Sequence, residues 1–281
     1  MSVNLSSVAV TQFDDMVKHA FQTAGLLRNT VTIRNGVVGD TYKFRKMGKG
    51  IATQRTVSSA DVTPMDIAHS LITCSLTNWD ADDYTDIFDK AEVNFDEVNE
   101  LATTIAGALG RRLDQLIIDA LGAATGIAGT VGTDIGGTGT GMNIDKILKA
   151  KKYLDAQGVG AGNRFMLVSA AGLEHLLGET KVTSSDYNTV KALVAGDINT
   201  FAGFNFKLIE ERAEGGLGLS SGLRTGFAYS MDAVGLAIGM DISTKVDWIA
   251  HKKSWLSAGQ MKAGSVARDV LGIVKIQSTE A

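Results

Sequence analysis

Residues 94–122, NFDEVNELATTIAGALGRRLDQLIIDALG, set the reading of the whole chain. Leu101, Ile105, Leu109, Leu113, Leu116, Ile117 and Leu121 recur at the spacing of one helix face. Asp96, Glu97 and Glu100 put negative charge at the positive end of the helix dipole. The pattern predicts one long amphipathic helix that stops at Gly122. At about 1.5 Å per residue it spans roughly 40 Å, the width of a small domain. A break near Gly107 or Gly110 is its expected weak point. A rod of that length usually has other elements built along it.

Toward the N-terminus the periodicity changes. Residues 31–46, VTIRNGVVGDTYKFRK, are rich in β-branched side chains, with Tyr42 and Phe44 alternating against Thr41, Lys43 and Arg45. A polar stretch follows over 47–63, and a second apolar run, 66–79, returns with Ile67, Leu71, Ile72, Cys74, Leu76 and Trp79. Together they predict a long β-hairpin with an extended tip. A lone two-stranded ribbon is marginal in water and needs a surface to lie on. Ahead of it, residues 11–25, TQFDDMVKHAFQTAG, read as a short helix with Phe13, Met16, Val17, Ala20 and Phe21 on one side, an arm that docks on something else.

Charge is divided unevenly here. Arg28, Arg34, Lys43, Arg45, Lys46, Lys49 and Arg55 face only Asp40; further on, Asp80, Asp82, Asp83, Asp86, Asp89, Glu92, Asp96, Glu97 and Glu100 face only Lys90. Two readings stand side by side. Either the basic hairpin and the acidic approach to the helix attract each other between neighbouring copies, or both are solvated faces that never meet. The candidate inter-subunit contacts are Arg34, Lys43, Arg45, Lys46, Lys49 and Arg55 on one side, and Asp80, Asp82, Asp83, Asp86 and Asp89 on the other.

After the helix, residues 122–143 are glycine-rich without apolar periodicity and read as a flexible connector or surface loop. Alternating α and β follows. Residues 143–158 form a helix capped by Asn143 and stopped by Gly158, RFMLVS (164–169) a buried strand, and AAGLEHLLG (170–178) and SSDYNTVKALVAG (184–196) two short helices. FAGFNFKLIEER (201–212) is a strand with Phe204, Phe206 and Leu208 on one face. After a second glycine loop, 213–226, come GFAYSMDAVGLAIGM (226–240), a strand with a short helical or extended piece, and the β-like runs ISTKVDWIAHKKSWLS (242–257) and SVARDVLGIVKIQ (265–277).

Composition bounds the function. The chain has 281 residues and a net charge of −4, which argues against broad nucleic-acid binding through a basic surface. One cysteine, Cys74, excludes an intrachain disulfide and a cysteine-rich zinc site. The opening MSVNLSSVAVTQF lacks the basic and apolar regions of a secretory signal, and no run reaches the roughly 20 apolar residues of a membrane helix. The count of 32 glycines against one proline points to turns made by glycine.

Catalytic motifs fail on detail. The run from Gly136 to Gly141 lacks the spacing of a phosphate loop. GLSSG (218–222) matches G-x-S-x-G with Ser220 as nucleophile, but it sits in a loop, and the downstream His251 is too close for a sheet to intervene. The acidic DADDYTDIFD lacks the glycine and closing glutamate of a calcium loop, and His19, His69, His175 and His251 form no ligand pair. No metal, cofactor or enzymatic activity is expected.

The order of elements carries a resemblance. Arm, long hairpin, one long helix, an α/β middle region and closing strands, with phrases such as SAAGLEHLLGE, FAGFNFKLIEER, DAVGLAIGMD and ARDVLGIVKIQ, resemble the major capsid (coat) protein of tailed bacteriophages, the Hong Kong 97-type capsid fold. The resemblance implies an α+β fold with an N-terminal arm at 1–35, an extended hairpin (E-loop) at 36–92, a peripheral domain from 93–122 and 241–281 with the helix as spine, and an α/β axial domain at 123–240. It implies a structural virion protein, assembled in the host bacterial cytoplasm into pentamers and hexamers of an icosahedral head around packaged double-stranded DNA. It also implies a separate scaffolding protein, a portal and decoration proteins as partners, with no role at a membrane. An encapsulin-like nanocompartment shell shares the fold and is the alternative; an α/β hydrolase on Ser220 is the remote one.

Overall fold

The structure, a computed structural model, describes residues 25–59, 61–62, 64–88, 97–179 and 200–280. The helix expected over 11–25, nearly all of the arm, the first turn at 94–96, Asp89 and the helix expected over 184–196 lie outside them.

Helix α1 (Glu97–Ala123) runs unbroken through Gly107 and Gly110. Ile105, Leu109, Leu113, Ile117 and Leu121, every fourth residue, are buried along it. Tertiary packing of that stripe overrides the weak helix propensity of glycine. The expected flaw at Gly110 has a reason instead: the incoming chain crosses there, and a Cβ on Gly25 would lie 2.7 Å from the Gly110 carbonyl oxygen.

Two sheets are built along α1. The first is four-stranded, in the order β1 (Thr32–Asn35), β11 (Val234–Ile249), β12 (Ser254–Ala267) and β4 (Thr77–Asp86), with β1 parallel to β11 and the other pairs antiparallel. Its helix side carries Leu236, Ile238, Met261 and Ala263 into one core with α1. Gly259 leaves the room that Ile105 and Leu109 fill.

The second sheet runs β5 (Gly129–Val131), β13 (Ile273–Thr279), β10 (Leu223–Ser230), β6 (Arg164–Ser169), β8 (Phe204–Ile209) and β7 (Thr200–Phe201), with β9 (Leu219–Ser220) also paired to β10. Both faces are covered. Met166, Val168, Phe204, Ala228, Val274 and Ile276 pack with Ile147, Ala150 and Leu154 of α2 (Ile144–Ala156) and Leu176 of α3 (Ala170–Gly178). Leu167, Phe227, Tyr229 and Ile273 join the α1 core on the other side. That is why RFMLVS is apolar without alternation. At the end of β8 the expected alternation gives way: Leu208 is 49% exposed and Ile209 is buried against the α1 core.

The closing strand β13 pairs with β10 and β5 in the second sheet, and Val234 to Met240 lie in the first. The chain changes sheet through two short 3-10 turns, Met231–Ala233 and Val270–Gly272, joined where the Arg268 and Asp269 amides donate to the Ala233 carbonyl. Two expectations on organisation are corrected. The acidic run at 80–86 is strand β4, not an approach to the helix, because Trp79, Ala81 and Thr85 turn toward α1 while β12 pairs its backbone. The glycine-rich connector contains β5 and is tied down by Thr140 and Asn143, whose side chains donate to the carbonyls of Thr133 and Ile135.

Candidate assembly surface

The hairpin is β2 (Thr41–Met47) against β3 (His69–Ser75), in register from Thr41 with Ser75 to Met47 with His69. Strand alternation divides its side chains. Phe44 and Cys74 turn inward and pack with Leu76 and Ala237 on the side of the first sheet away from α1. The approach is close: a Cβ on Gly235 would lie 2.7 Å from the Phe44 ring, one on Gly239 would crowd Leu76, and one on Gly264 would run into the Ser75 carbonyl. These glycines form a seat for the hairpin root. Sequence reading saw DAVGLAIGMD only as family-like phrasing; glycine inside a strand was the available signal.

The predicted basic residues do not act as one patch. Lys46 is paired within the chain to Asp269 at 2.7 Å. Lys49 donates to the Gln157 carbonyl at 3.5 Å, at the C-terminus of α2, and Arg55 donates to the Val57 carbonyl within the tip. Arg34 is on β1, not on the hairpin, 6.0 Å from the Tyr42 ring. Asp40 pairs with Lys262 at 2.6 Å, and that hydrogen bond holds its carboxyl below the usual range. Lys43 and Arg45 are exposed on the outward face, and their side chains have no partner among the described residues. A groove of about 1050 Å³ separates the hairpin from the body.

The acidic set divides too. Asp80 and Asp82 stand exposed and unpartnered on the outer side of β4, among the described residues. Asp83 lies on the helix side and accepts from its neighbouring Tyr84 amide, and Asp86 accepts from the Phe88 amide.

One buried group escaped the sequence altogether. Asp114, fully buried on α1, accepts from the Leu26 and Leu27 amides at 2.9 Å each and from Arg212 at 3.0 Å. Burial raises its carboxyl above the usual range, against the pull of those donors. The neighbouring Gln115 accepts from the Gly215 amide at 2.7 Å. The backbone at Leu26 and Leu27, helix α1 and the glycine loop at Gly215 thus meet at one carboxylate and its neighbour. Nothing in the spacing of 94–122 announces it.

Ser220 sits at the end of β9, and Ser221 and Gly222, both at positive φ, turn the chain straight into β10. That is a tight hairpin, not the strand–turn–helix of a nucleophile elbow.

The family model for "Phage capsid protein" matches residues 5–280. Comparison with curated proteins gave no match. Among solved structures, the capsid of the cyanophage P-SCSP1u is similar over 100% of this chain and 96% of that one, at 16% identity and a TM-score of 0.77. The head of Helicobacter pylori bacteriophage KHP40 is similar over 99% and 98%, at 10% identity and 0.78, and the capsid of Ralstonia phage GP4 over 100% and 98%, at 9% and 0.77. At these identities the likeness is one of fold, and it bears out the α+β capsid architecture expected from the order of elements. With a family match running almost from end to end, the chain belongs to the phage capsid protein family.

Proposed function

We propose that this chain is the major capsid subunit of a tailed-phage head, whose copies form pentamers and hexamers of an icosahedral shell around packaged double-stranded DNA. In this reading the sheet beside the helix serves as the peripheral domain, the second sheet as the axial domain and the hairpin as the E-loop. A separate scaffolding protein, a portal and decoration proteins complete the particle in the bacterial cytoplasm. The subunit's net charge of −4 suits a wall that encloses DNA without gripping it.

One observation carries the reading. The hairpin satisfies its inward side chains on its own subunit and leaves its outward face unsatisfied. Among the described residues Lys43 and Arg45 stand unpaired, and the tip exposes Ile51 (80%) and Val62 (92%). Apolar side chains held out in water mark a contact surface.

Electron microscopy of the purified chain, expressed alone and with its scaffolding protein, tests the reading. Closed shells are expected. A protein that stays monomeric under both conditions contradicts it, and native particles without nuclease-protected DNA point to a nanocompartment instead.

A further inference from the structure

The hairpin is held on its own subunit in two different ways. At the root the hold is steric and apolar: Phe44 and Cys74 are buried, and the Phe44 ring fills the space that a Cβ on Gly235 would need. From Arg45 outward the hold is polar. No apolar side chain between Arg45 and Leu71 joins a core among the described residues, and Met47 and Leu71 are 63% and 59% exposed. What ties this outer part down is Lys46 on Asp269 at 2.7 Å, with a longer contact of Lys49 to the Gln157 carbonyl at 3.5 Å. Both reach across the groove of about 1050 Å³.

These two holds fall on different parts of the body. The root is seated on the first sheet, whereas Asp269 heads the turn Val270–Gly272 through which the chain enters the second. The Asp269 amide donates to the Ala233 carbonyl at 3.0 Å, and its carboxylate also accepts from the Leu271 amide at 3.2 Å. Gln157 ends α2, which packs on the second sheet. The outer hairpin is therefore tied to a sheet other than the one that seats it.

We infer that Lys46 and Asp269 form a releasable strap: it holds the outer hairpin down over the groove in the unassembled subunit and, when the pair breaks, lets it swing outward with the root still seated. This goes beyond the shell reading and rests on it only where assembly is measured. Three features make the pair a strap and not a fixed part of the fold. Breaking it uncovers no buried apolar surface, unlike unseating Phe44. Both side chains are already partly in water, 33% and 43% exposed, so each charge is rehydrated at small cost. Nor is the carboxylate left stranded. It keeps the Leu271 amide, and Arg268 lines the same groove with no side-chain partner among the described residues.

Distances in the unassembled chain test this. Nitroxide labels on Leu71→Cys of the hairpin and Lys152→Cys of α2, both exposed positions, should give one narrow spacing when the strap is intact; the native Cys74 is buried. Asp269→Asn keeps an acceptor for the Leu271 amide and removes only the charge. Lys46→Met removes the charge from the other side. Each should raise the population at longer spacing at least fivefold and leave the melting curve unchanged, while Lys46→Arg, which keeps the pair, should match the wild type. Molar salt should move the wild type toward the longer spacing and leave both neutral variants where they are. In assembly trials the neutral variants should form shells after a lag several-fold shorter, because no strap has to break first. Unchanged spacing in both neutral variants, or a lag no shorter than that of the wild type, overturns the strap. A wild type that forms no shells at all fails the shell reading instead and leaves the spacing result standing.

Discussion

Lys146 is a lysine inside a protein wall. It is fully buried at the start of α2, donates to the Thr140 and Gln277 carbonyls at 2.7 and 2.9 Å, and burial lowers its ammonium to about 8. An unfolded lysine keeps its proton to about 10.4. Between those values the unfolded chain binds more protons than the folded one, so this group's contribution to stability rises with pH. Urea midpoints of the wild type and Lys146→Met should therefore diverge in favour of the wild type between pH 7.5 and 9.5; a difference that stays constant contradicts the assignment. Neither Lys146 nor Asp114 was legible as a structural centre. Asp114 sits in a helical pattern as an ordinary acid, and its amide donors come from a segment 88 residues away in sequence. Periodicity shows which face a residue occupies, not which distant backbone arrives there.

At the scale of elements, the spine helix and the hairpin were legible because each repeats a period over many residues. The four-residue spacing from Ile105 to Leu121 and the alternation around Phe44 survive any context. Strand β4 was not legible, since its inward positions include a charged Asp83 and a small Ala81, and carboxylates dominate what is left. The changes of sheet at Met231–Ala233 and Val270–Gly272 leave no mark in composition. The candidate contact set was legible as a charge asymmetry. Its division into engaged and free members required the fold. The glycine seat gives a test at this scale. A Cβ at position 264 meets the Ser75 backbone carbonyl, which cannot swing aside as a side chain can. Gly264→Ala should destabilise the subunit by about 1–3 kcal/mol and speed tryptic cleavage after Lys43 and Arg45. Unchanged melting and cleavage would show that the root does not depend on that approach.

For the molecule as a whole, α1 couples everything else. Its apolar stripe holds both sheets in a single core, and its buried carboxylate fixes where Leu27 and the Arg212 side chain arrive. Among the described residues the hairpin is seated at its root, and Lys43 and Arg45 on its outward face have no partner. Such a subunit is self-contained in its body and unfinished at its edge, as a shell-building block requires. Single-particle reconstruction of the assembled particles, without imposed symmetry, tests this most directly. The account predicts closed shells of five- and six-membered rings, with each hairpin in contact with a neighbouring copy. Open or helical arrays, or hairpins that touch only their own subunit, would contradict it.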